Sequence, residues 1–205
     1  MNKKISKEEV ERPGYISLKD LTEEKEIEKL ALKLKDVLSK TNKEVIILCV
    51  GSDRSTGDSL GPIVGSMLKE INFPLPVYGT LEEPVHALNI HKILKNVKEI
   101  HHEPFIIGID ACLGEPAQIG SILFKKGPFF PGAALNKVLP GVGDYHLKAI
   151  VNCLDSYSPV QSLNSTRLYT VMKLSEILTK IIYRAVLDDD SFSKGPFKKL
   201  LTVED

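Results

Sequence analysis

The 205-residue chain lacks tryptophan, has only three cysteines and carries no excess of charge of either sign. Lys plus Arg and Asp plus Glu each total 27, a balance that argues against a protein that binds nucleic acids or anionic membranes through bulk charge. The cysteines include no CxxC pair, which favours a reducing compartment over a secreted domain held by disulfides. We therefore expect a cytoplasmic protein.

No apolar run in the sequence approaches the ~20 residues that a membrane-spanning helix needs. The charged N-terminal segment also has no apolar stretch of the kind that a secretory signal contains. Hydrophobic residues nonetheless make up 42% of the chain, enough for one sizeable core. The sequence predicts a flexible arm over residues 1–16, a single α/β/α domain over residues 17–187 and a charged tail over residues 188–205.

Apolar strands and amphipathic helices alternate along the predicted domain. Val45–Val50 and Phe105–Asp110 are apolar almost throughout, as expected of strands that are covered on both faces. Helices are predicted from Glu83 to about Lys98 and over Thr166–Leu187, whereas His146–Leu154 fits a helix or a strand. The alternation predicts an α/β fold, a three-layer α/β/α sandwich with a mostly parallel sheet.

Two aspartates follow the two apolar strands. Asp110 ends the second strand, and Asp58 lies at the mouth of the helix that follows the turn Gly51–Gly57. Because ligands bind outside the carboxyl ends of the strands in open parallel sheets, we expect Asp58 and Asp110 to meet at that edge. The pair could share a proton, hold a metal ion or cap helices, and the residues alone leave these alternatives open.

The turn Gly51–Gly57 does not match a nucleotide-binding loop. It contains no GxGxxG, its spacing differs from that of a P-loop, and Asp58 stands where a phosphate-binding lysine would help. Arg54 could instead bind a substrate carboxylate, with Asp53 beside it, although each is also an ordinary surface charge. Asp53 and Arg54 are therefore candidate substrate-binding residues, and Glu83 is a lesser candidate.

A second glycine-rich loop, GVGDYH, follows later in the chain. Gly141 and Gly143 would let the backbone approach a ligand closely, and Asp144 and His146 would add a carboxylate and an imidazole. These four residues are further candidates for substrate binding, although such a loop is also typical of a surface turn. His146 is the one histidine considered for the site, and the other histidines are predicted to lie on the surface.

The segments VGSDRSTGDSLGP, GIDACLG and PGVGDYH together resemble the YyaC-type sporulation proteins of spore-forming Firmicutes. That group resembles the spore germination protease, an atypical aspartate endopeptidase that degrades small acid-soluble spore proteins. It is also similar to the nickel-dependent endopeptidases that mature hydrogenases. The resemblance implies the phosphorylase/hydrolase-like α/β/α fold that these proteins share.

The resemblance also implies roles for two aspartates. Asp58 in the element DSLGP and Asp110 in the element IDA match the catalytic aspartates of the germination protease. The hydrogenase endopeptidases place a metal-binding acid and an aspartate at these positions and add a histidine, for which His146 is the candidate. The resemblance thus implies an endopeptidase whose Asp58 and Asp110 share a proton, or bind a divalent metal with His146.

The expected partner is a protein or peptide substrate, and neither nucleic acid nor a membrane is expected. The oligomeric state is left open, with a homodimer among the alternatives. A function of another class fits the same residues, because a peptidase-like fold can bind a peptide or a partner in sporulation without cleaving it.

Overall fold

The computed structural model of the chain describes residues 16–18, 24–132 and 139–187. The predicted arm and tail lie outside these residues, apart from Ile16, so the predicted boundary after residue 16 falls inside the first strand. No helix of the described residues has the length and apolar character needed to cross a membrane. In chain order the elements are β1 (Ile16–Leu18), α1 (Glu24–Leu38), β2 (Val45–Cys49), α2 (Leu60–Glu70), β3 (Val77–Tyr78), α3 (Ile90–Ile100), β4 (Phe105–Gly114), β5 (Ile122–Lys126), β6 (Tyr145–Cys153), α4 (Pro159–Asn164) and α5 (Leu168–Leu187).

One six-stranded sheet forms the middle layer, in the order β1-β5-β6-β4-β2-β3. The strands β3, β2, β4 and β6 run parallel, whereas β5 pairs antiparallel with β6 and β1 pairs antiparallel with β5. The predicted three-layer α/β/α fold with a mostly parallel sheet is confirmed. The segment that fitted either a helix or a strand forms β6, which lies between β4 and β5.

Helices α1, α2 and α5 cover one face of the sheet. Alternate strand residues such as Ile47, Ile109 and Leu147 point toward these helices and are fully buried. The apolar stripes of the three helices complete this core, which includes Leu34 and Leu178. Burial of this apolar surface, worth about 25 cal/mol per Å², is the main favourable contribution to folding.

The opposite face is covered by α3 and by the segment around Phe129. Ile46 and Ile106 pack there against α3. Gly108 follows on the same face of β4, and a Cβ atom at this position would overlap the ring of Phe129. Glycine therefore lets the ring lie directly on the strand. The next residue on this face of β4 is Asp110, where the covering changes from apolar to charged.

The helix predicted from Glu83 to Lys98 is wrong in its first half, since α3 begins at Ile90. The side chain of Asn89 accepts a hydrogen bond from the backbone N–H of His86 at 2.8 Å and donates one to the carbonyl of Pro84 at 2.9 Å. Such side-chain bonds compete with helical hydrogen bonds, so they hold the segment before α3 in a turn.

This turn segment lies against the end of β2. Val85 forms an isolated parallel bridge with Val50, and the carbonyl of Val85 accepts a hydrogen bond from the N–H of Gly51 at 2.8 Å. The turn before α3, which the sequence predicted to be helical, is therefore attached to the loop that leads to Asp58.

A paired-carboxylate candidate site at the sheet edge

Asp110 is buried inside β4, with 6% of its surface exposed. The sequence predicted that the strand ends at Asp110, but β4 continues to Gly114 because β6 pairs with it over that length. The neighbouring strand β2 ends opposite Ile109, so Asp110 lies just past that end. It therefore faces the loop that follows β2, as the prediction of a common edge required.

Asp58 lies in a short 3₁₀ turn, Gly57–Ser59, at the start of α2. The N-cap positions of the 3₁₀ turn and of α2 belong to Thr56 and Ser59, so Asp58 caps neither. Burial raises the pKa of the Asp58 carboxyl, and the backbone N–H of Ser52 and the charge of His86 offset part of this rise. Asp58 is thus a partly exposed carboxyl that is available to a ligand.

Close backbone contacts fix the turn that carries Asp58. The N–H of Ser52 donates a hydrogen bond to the Asp58 carbonyl at 3.1 Å. Gly51 has φ of 147°, and a Cβ atom there would overlap that same carbonyl, so only glycine lets the turn close. On the other side, a Cβ atom at Gly57 would lie 2.9 Å from Cδ2 of Leu163, which shows how closely α4 packs against the turn.

The structure couples the two carboxyls. Burial raises the pKa of Asp110 to about 6, against the opposing effect of Lys148, and the negative charge of Asp58 adds to the rise. The two carboxyls are therefore close enough for the charge of Asp58 to act on Asp110. A carboxyl that exchanges its proton close to neutral pH is suited to acid–base chemistry.

Lys148 is a member of this site that the sequence analysis missed. Its Nζ lies 3.2 Å from Oδ2 of Asp110 and 5.1 Å from the centroid of the Phe129 ring. Although burial opposes the charged form, Asp110 raises the pKa of Lys148, so the ammonium stays protonated. Recognition of β6 as a strand would have revealed it, since His146 and Lys148 then share one face.

Cys112 lies two residues beyond Asp110 on the same face of β4. Burial raises the pKa of the Cys112 thiol to about 11, and the adjacent Lys148 reverses only part of that rise. Because the thiolate is the reactive form of cysteine, Cys112 is not poised as a nucleophile at neutral pH.

His86 is the second residue that the sequence analysis missed. It was predicted to lie on the surface of a helix, but it is half-buried in the turn before α3 and its charge acts on Asp58. Its Nδ1 accepts a hydrogen bond from the N–H of Leu88 at 3.2 Å, which fixes the orientation of the ring in the turn.

His146 is buried on β6, two residues before Lys148. Its Nδ1 hydrogen-bonds to the Gly127 carbonyl at 2.8 Å, and its ring lies 5.5 Å from that of Phe129. Burial lowers the pKa of His146, which keeps the imidazole neutral. These contacts tie His146 to the segment after β5 and not to either carboxyl of the pair.

The loop with Gly141, Gly143 and Asp144 lies toward the opposite end of the sheet. Oδ2 of Asp144 accepts a hydrogen bond from the N–H of Ile106 at 2.8 Å. Ile106 precedes Asp110 by four residues of extended strand, a span of about 13 Å. The structure therefore does not bring these three candidates together with the aspartate pair, and Asp144 instead fastens the start of β4.

Asp53 and Arg54 are exposed in the same loop as Asp58. The N–H of Arg54 donates to Oγ of Ser52 at 3.3 Å, which stabilises the turn locally. Both side chains point away from the protein core and lie close to the pair along the chain, and their role in substrate binding stays a prediction. Glu83 is also exposed, at the turn before α3.

The metal set predicted from the sequence, Asp58, Asp110 and His146, stays a prediction. Residues 16–18, 24–132 and 139–187 contain no group of three or more His, Cys, Asp or Glu side chains placed to hold a metal ion. The ammonium of Lys148 already lies against Asp110. In this site the positive charge beside Asp110 comes from a lysine.

The fold and these side chains define a class of molecule, a three-layer α/β protein with two coupled carboxyls and a lysine near the carboxyl ends of parallel strands. The chain belongs to the family described as "Protein of unknown function (DUF1256)", whose model matches residues 18–181. It is 40% identical over 168 residues to YyaC of Bacillus subtilis (strain 168), described as uncharacterized; the alignment covers 81% of this chain and 80% of YyaC. The predicted resemblance to YyaC-type proteins is confirmed.

A solved structure also resembles the chain. It is that of HycI, a [NiFe] hydrogenase maturation protease from Thermococcus kodakarensis KOD1, with a TM-score of 0.45 and 16% sequence identity. The match covers 73% of this chain and 98% of HycI. At this level of similarity we transfer no residue role from HycI.

Proposed function

We propose that the protein is an endopeptidase that acts in sporulation, with Asp58 and Asp110 as its acid–base pair. The observation that carries the proposal is the placement of Asp110 just past the end of β2, where it faces the loop that carries Asp58, and the charge of Asp58 adds to the rise in the pKa of Asp110. Two carboxyls that cannot both ionise easily divide one proton between them, so one serves as base and the other as acid. The setting in sporulation follows from the motifs that the chain shares with YyaC-type proteins.

The pair divides the proton according to burial. Asp110 is the more deeply buried carboxyl and binds a proton more tightly than an ordinary aspartate, so it is the member that takes up the shared proton, whereas Asp58 is partly exposed and is the ionised member. Asp58 takes a proton from a water molecule whose oxygen attacks the scissile carbonyl carbon, and Asp110 donates a hydrogen bond to the carbonyl oxygen. When the tetrahedral intermediate collapses, the C–N bond breaks and the proton held by Asp58 passes to the leaving nitrogen.

Lys148 stabilises the same step. Its ammonium lies beside Asp110, so it is placed to favour negative charge that develops on the carbonyl oxygen. The site is partly buried, and a charge acts more strongly there than it would in water. Lys148 thereby supplies the positive charge that a divalent metal ion would bring in the alternative mechanism.

A second function is favoured by the contact between Lys148 and Asp110. A buried carboxylate that is neutralised by an ammonium can serve structure alone. In that case the edge of the sheet would hold a peptide or a protein partner without cleaving it. The two functions differ in one measurable respect, the appearance of new peptide termini.

The test is a search for those termini by mass spectrometry. Wild type, the double variant Asp58→Asn/Asp110→Asn and the control Asp36→Asn are incubated with an extract of sporulating cells, with and without a chelator. Asp36 is a matched control because it is an exposed aspartate on α1. We expect cleavage by wild type and Asp36→Asn, a loss of at least about 100-fold in the double variant, and no effect of the chelator.

Two outcomes would contradict the proposal. Cleavage that persists in the double variant would remove the pair from the mechanism. An absence of new termini in every arm would favour the binding function, in which the same edge holds a partner intact.

A further inference from the structure

A groove with a volume of about 790 Å³ runs along the outer edge of β3, which is an edge strand of the sheet. One wall comes from α2, through residues such as Ser66 and Lys69, and the other from the turn before α3 and from Ile93. The floor is the backbone of β3 itself. A groove of this form matches the shape of a peptide in extended conformation.

The backbone of β3 offers free hydrogen-bonding groups to this groove. Val77 is in register with Ile47 of β2, and the N–H of Ile47 donates to the carbonyl of Pro76 at 3.0 Å. In a parallel ladder the residues on either side of Val77 face β2, so the N–H and C=O of Val77 point outward. No described residue pairs with this outer edge, which is therefore open to an added strand.

The lining of the groove carries an excess of negative charge. Glu70, Glu82 and Glu83 stand against the single cation Lys69, and the three carboxylates are exposed. None of the three forms an ion pair with another residue in the described part of the chain. Their charge is thus left for a ligand to neutralise, and a ligand rich in lysine or arginine complements it.

The groove leads to the aspartate pair. His86 lines the groove and also acts electrostatically on Asp58. β3 runs parallel to β2, so its carboxyl end points toward the same edge of the sheet as the loop that carries Asp58. A chain that extends along β3 in the same direction therefore approaches the edge of the sheet at which Asp58 lies.

We infer that this groove binds an extended, basic segment of the substrate, which adds to β3 as a further strand and leads its peptide bond to Asp58 and Asp110. Main-chain hydrogen bonds to Val77 would supply affinity, as in other cases of strand addition, and the glutamates would select for cations. The inference rests on the proposed function and names the substrate class for it.

The experiment measures binding in the double variant Asp58→Asn/Asp110→Asn, so that cleavage plays no part. The probe is a fluorescein-labelled decapeptide of alternating lysine and valine, and the control probe carries glutamate in place of lysine. Fluorescence anisotropy at physiological salt is expected to show binding of the lysine probe alone. The binding inference and the proposed peptidase activity can thus fail independently, because anisotropy measures binding and mass spectrometry measures cleavage.

Two groove variants sharpen the test. Val77→Pro removes the outward N–H but leaves the hydrogen bond between Ile47 and Pro76. We expect this variant to bind the lysine probe at least about tenfold more weakly than the parent protein does. Glu82→Gln/Glu83→Gln removes two exposed charges without risk to the fold, and we expect its affinity for the lysine probe to fall several-fold. The matched control Glu99→Gln/Glu103→Gln removes two exposed charges outside the groove and should change nothing.

Three results would overturn the inference. The lysine probe would fail to bind, or it would bind the groove variants and the control variant equally. Alternatively, the protein would form a dimer that Val77→Pro abolishes, which would assign the edge of β3 to a second copy of the chain.

Discussion

The face of the sheet beneath α1, α2 and α5 is packed with apolar side chains, whereas the face beside α3 buries ionisable groups. The buried polar residues of α5 that meet the first face include Ser175 and Thr179, whose hydroxyls donate to backbone carbonyls. On the second face Asp110 and His146 are buried and Lys148 is partly buried. Burial of ionisable groups costs free energy, so a face that concentrates them is the better candidate for chemistry.

The largest effect is expected on the free energy of unfolding, when a substitution creates a cavity beneath the helices of the apolar face. Leu178 is fully buried in that core, and Leu178→Ala should lower the free energy of unfolding by about 2–5 kcal/mol. Peptide cleavage per folded molecule should stay unchanged, because Leu178 packs in the apolar core whereas Asp110 points to the other face of the sheet. Urea denaturation gives the stability and the termini assay gives the activity.

Leu32→Ala is the matched control for this cavity. Leu32 is 53% exposed on α1, so its truncation should change the stability by less than about 0.5 kcal/mol. Loss of cleavage in Leu178→Ala, while most of the protein remained folded, would contradict the claim that the apolar face serves stability and the other face serves chemistry.

A smaller effect is expected in the dependence of stability on pH. The folded protein binds the proton of Asp110 more tightly than the unfolded chain, since burial raises the pKa from 3.8 to about 6. The contribution of Asp110 to the free energy of unfolding is therefore fully present below pH 3.8 and is lost as the pH rises through about 6. The loss is on the order of 3 kcal/mol.

Urea denaturation across this pH range, for wild type and for Asp110→Asn, measures that contribution. The stability of wild type relative to Asp110→Asn should fall as the pH rises, because asparagine does not titrate. Parallel pH profiles for the two proteins would mean that Asp110 titrates as an ordinary exposed aspartate, and the contrast between the two faces would lose its electrostatic basis.

Sequence periodicity was sufficient to predict the central strands, and it led to the prediction that Asp58 and Asp110 lie at one edge of the sheet. Both follow from unbroken apolar runs and from the rule that ligands bind at the carboxyl ends of parallel strands. The start of α3 could not be predicted in this way, because the side chain of Asn89 holds the preceding residues in a turn through two specific hydrogen bonds.

The other members of the site depended on tertiary pairing. Lys148 becomes visible only when β6 is paired in register with β4, and His86 only when its turn is fastened to β2 through Val85. The loop with Asp144 looked functional because glycine and aspartate are typical both of ligand loops and of strand-joining turns. In this protein the carboxylate of Asp144 accepts a hydrogen bond from the backbone N–H of Ile106, as expected of a turn that joins strands.

The coupling of Asp58 with Asp110 is most directly tested by NMR titration of isotope-labelled aspartate carboxyls. In wild type the carboxyl of Asp110 should titrate near pH 6, and in Asp58→Asn its midpoint should move to lower pH because a neighbouring negative charge is removed. Lys148 remains in place in both proteins. An Asp110 midpoint that is identical in wild type and in Asp58→Asn would contradict the paired site.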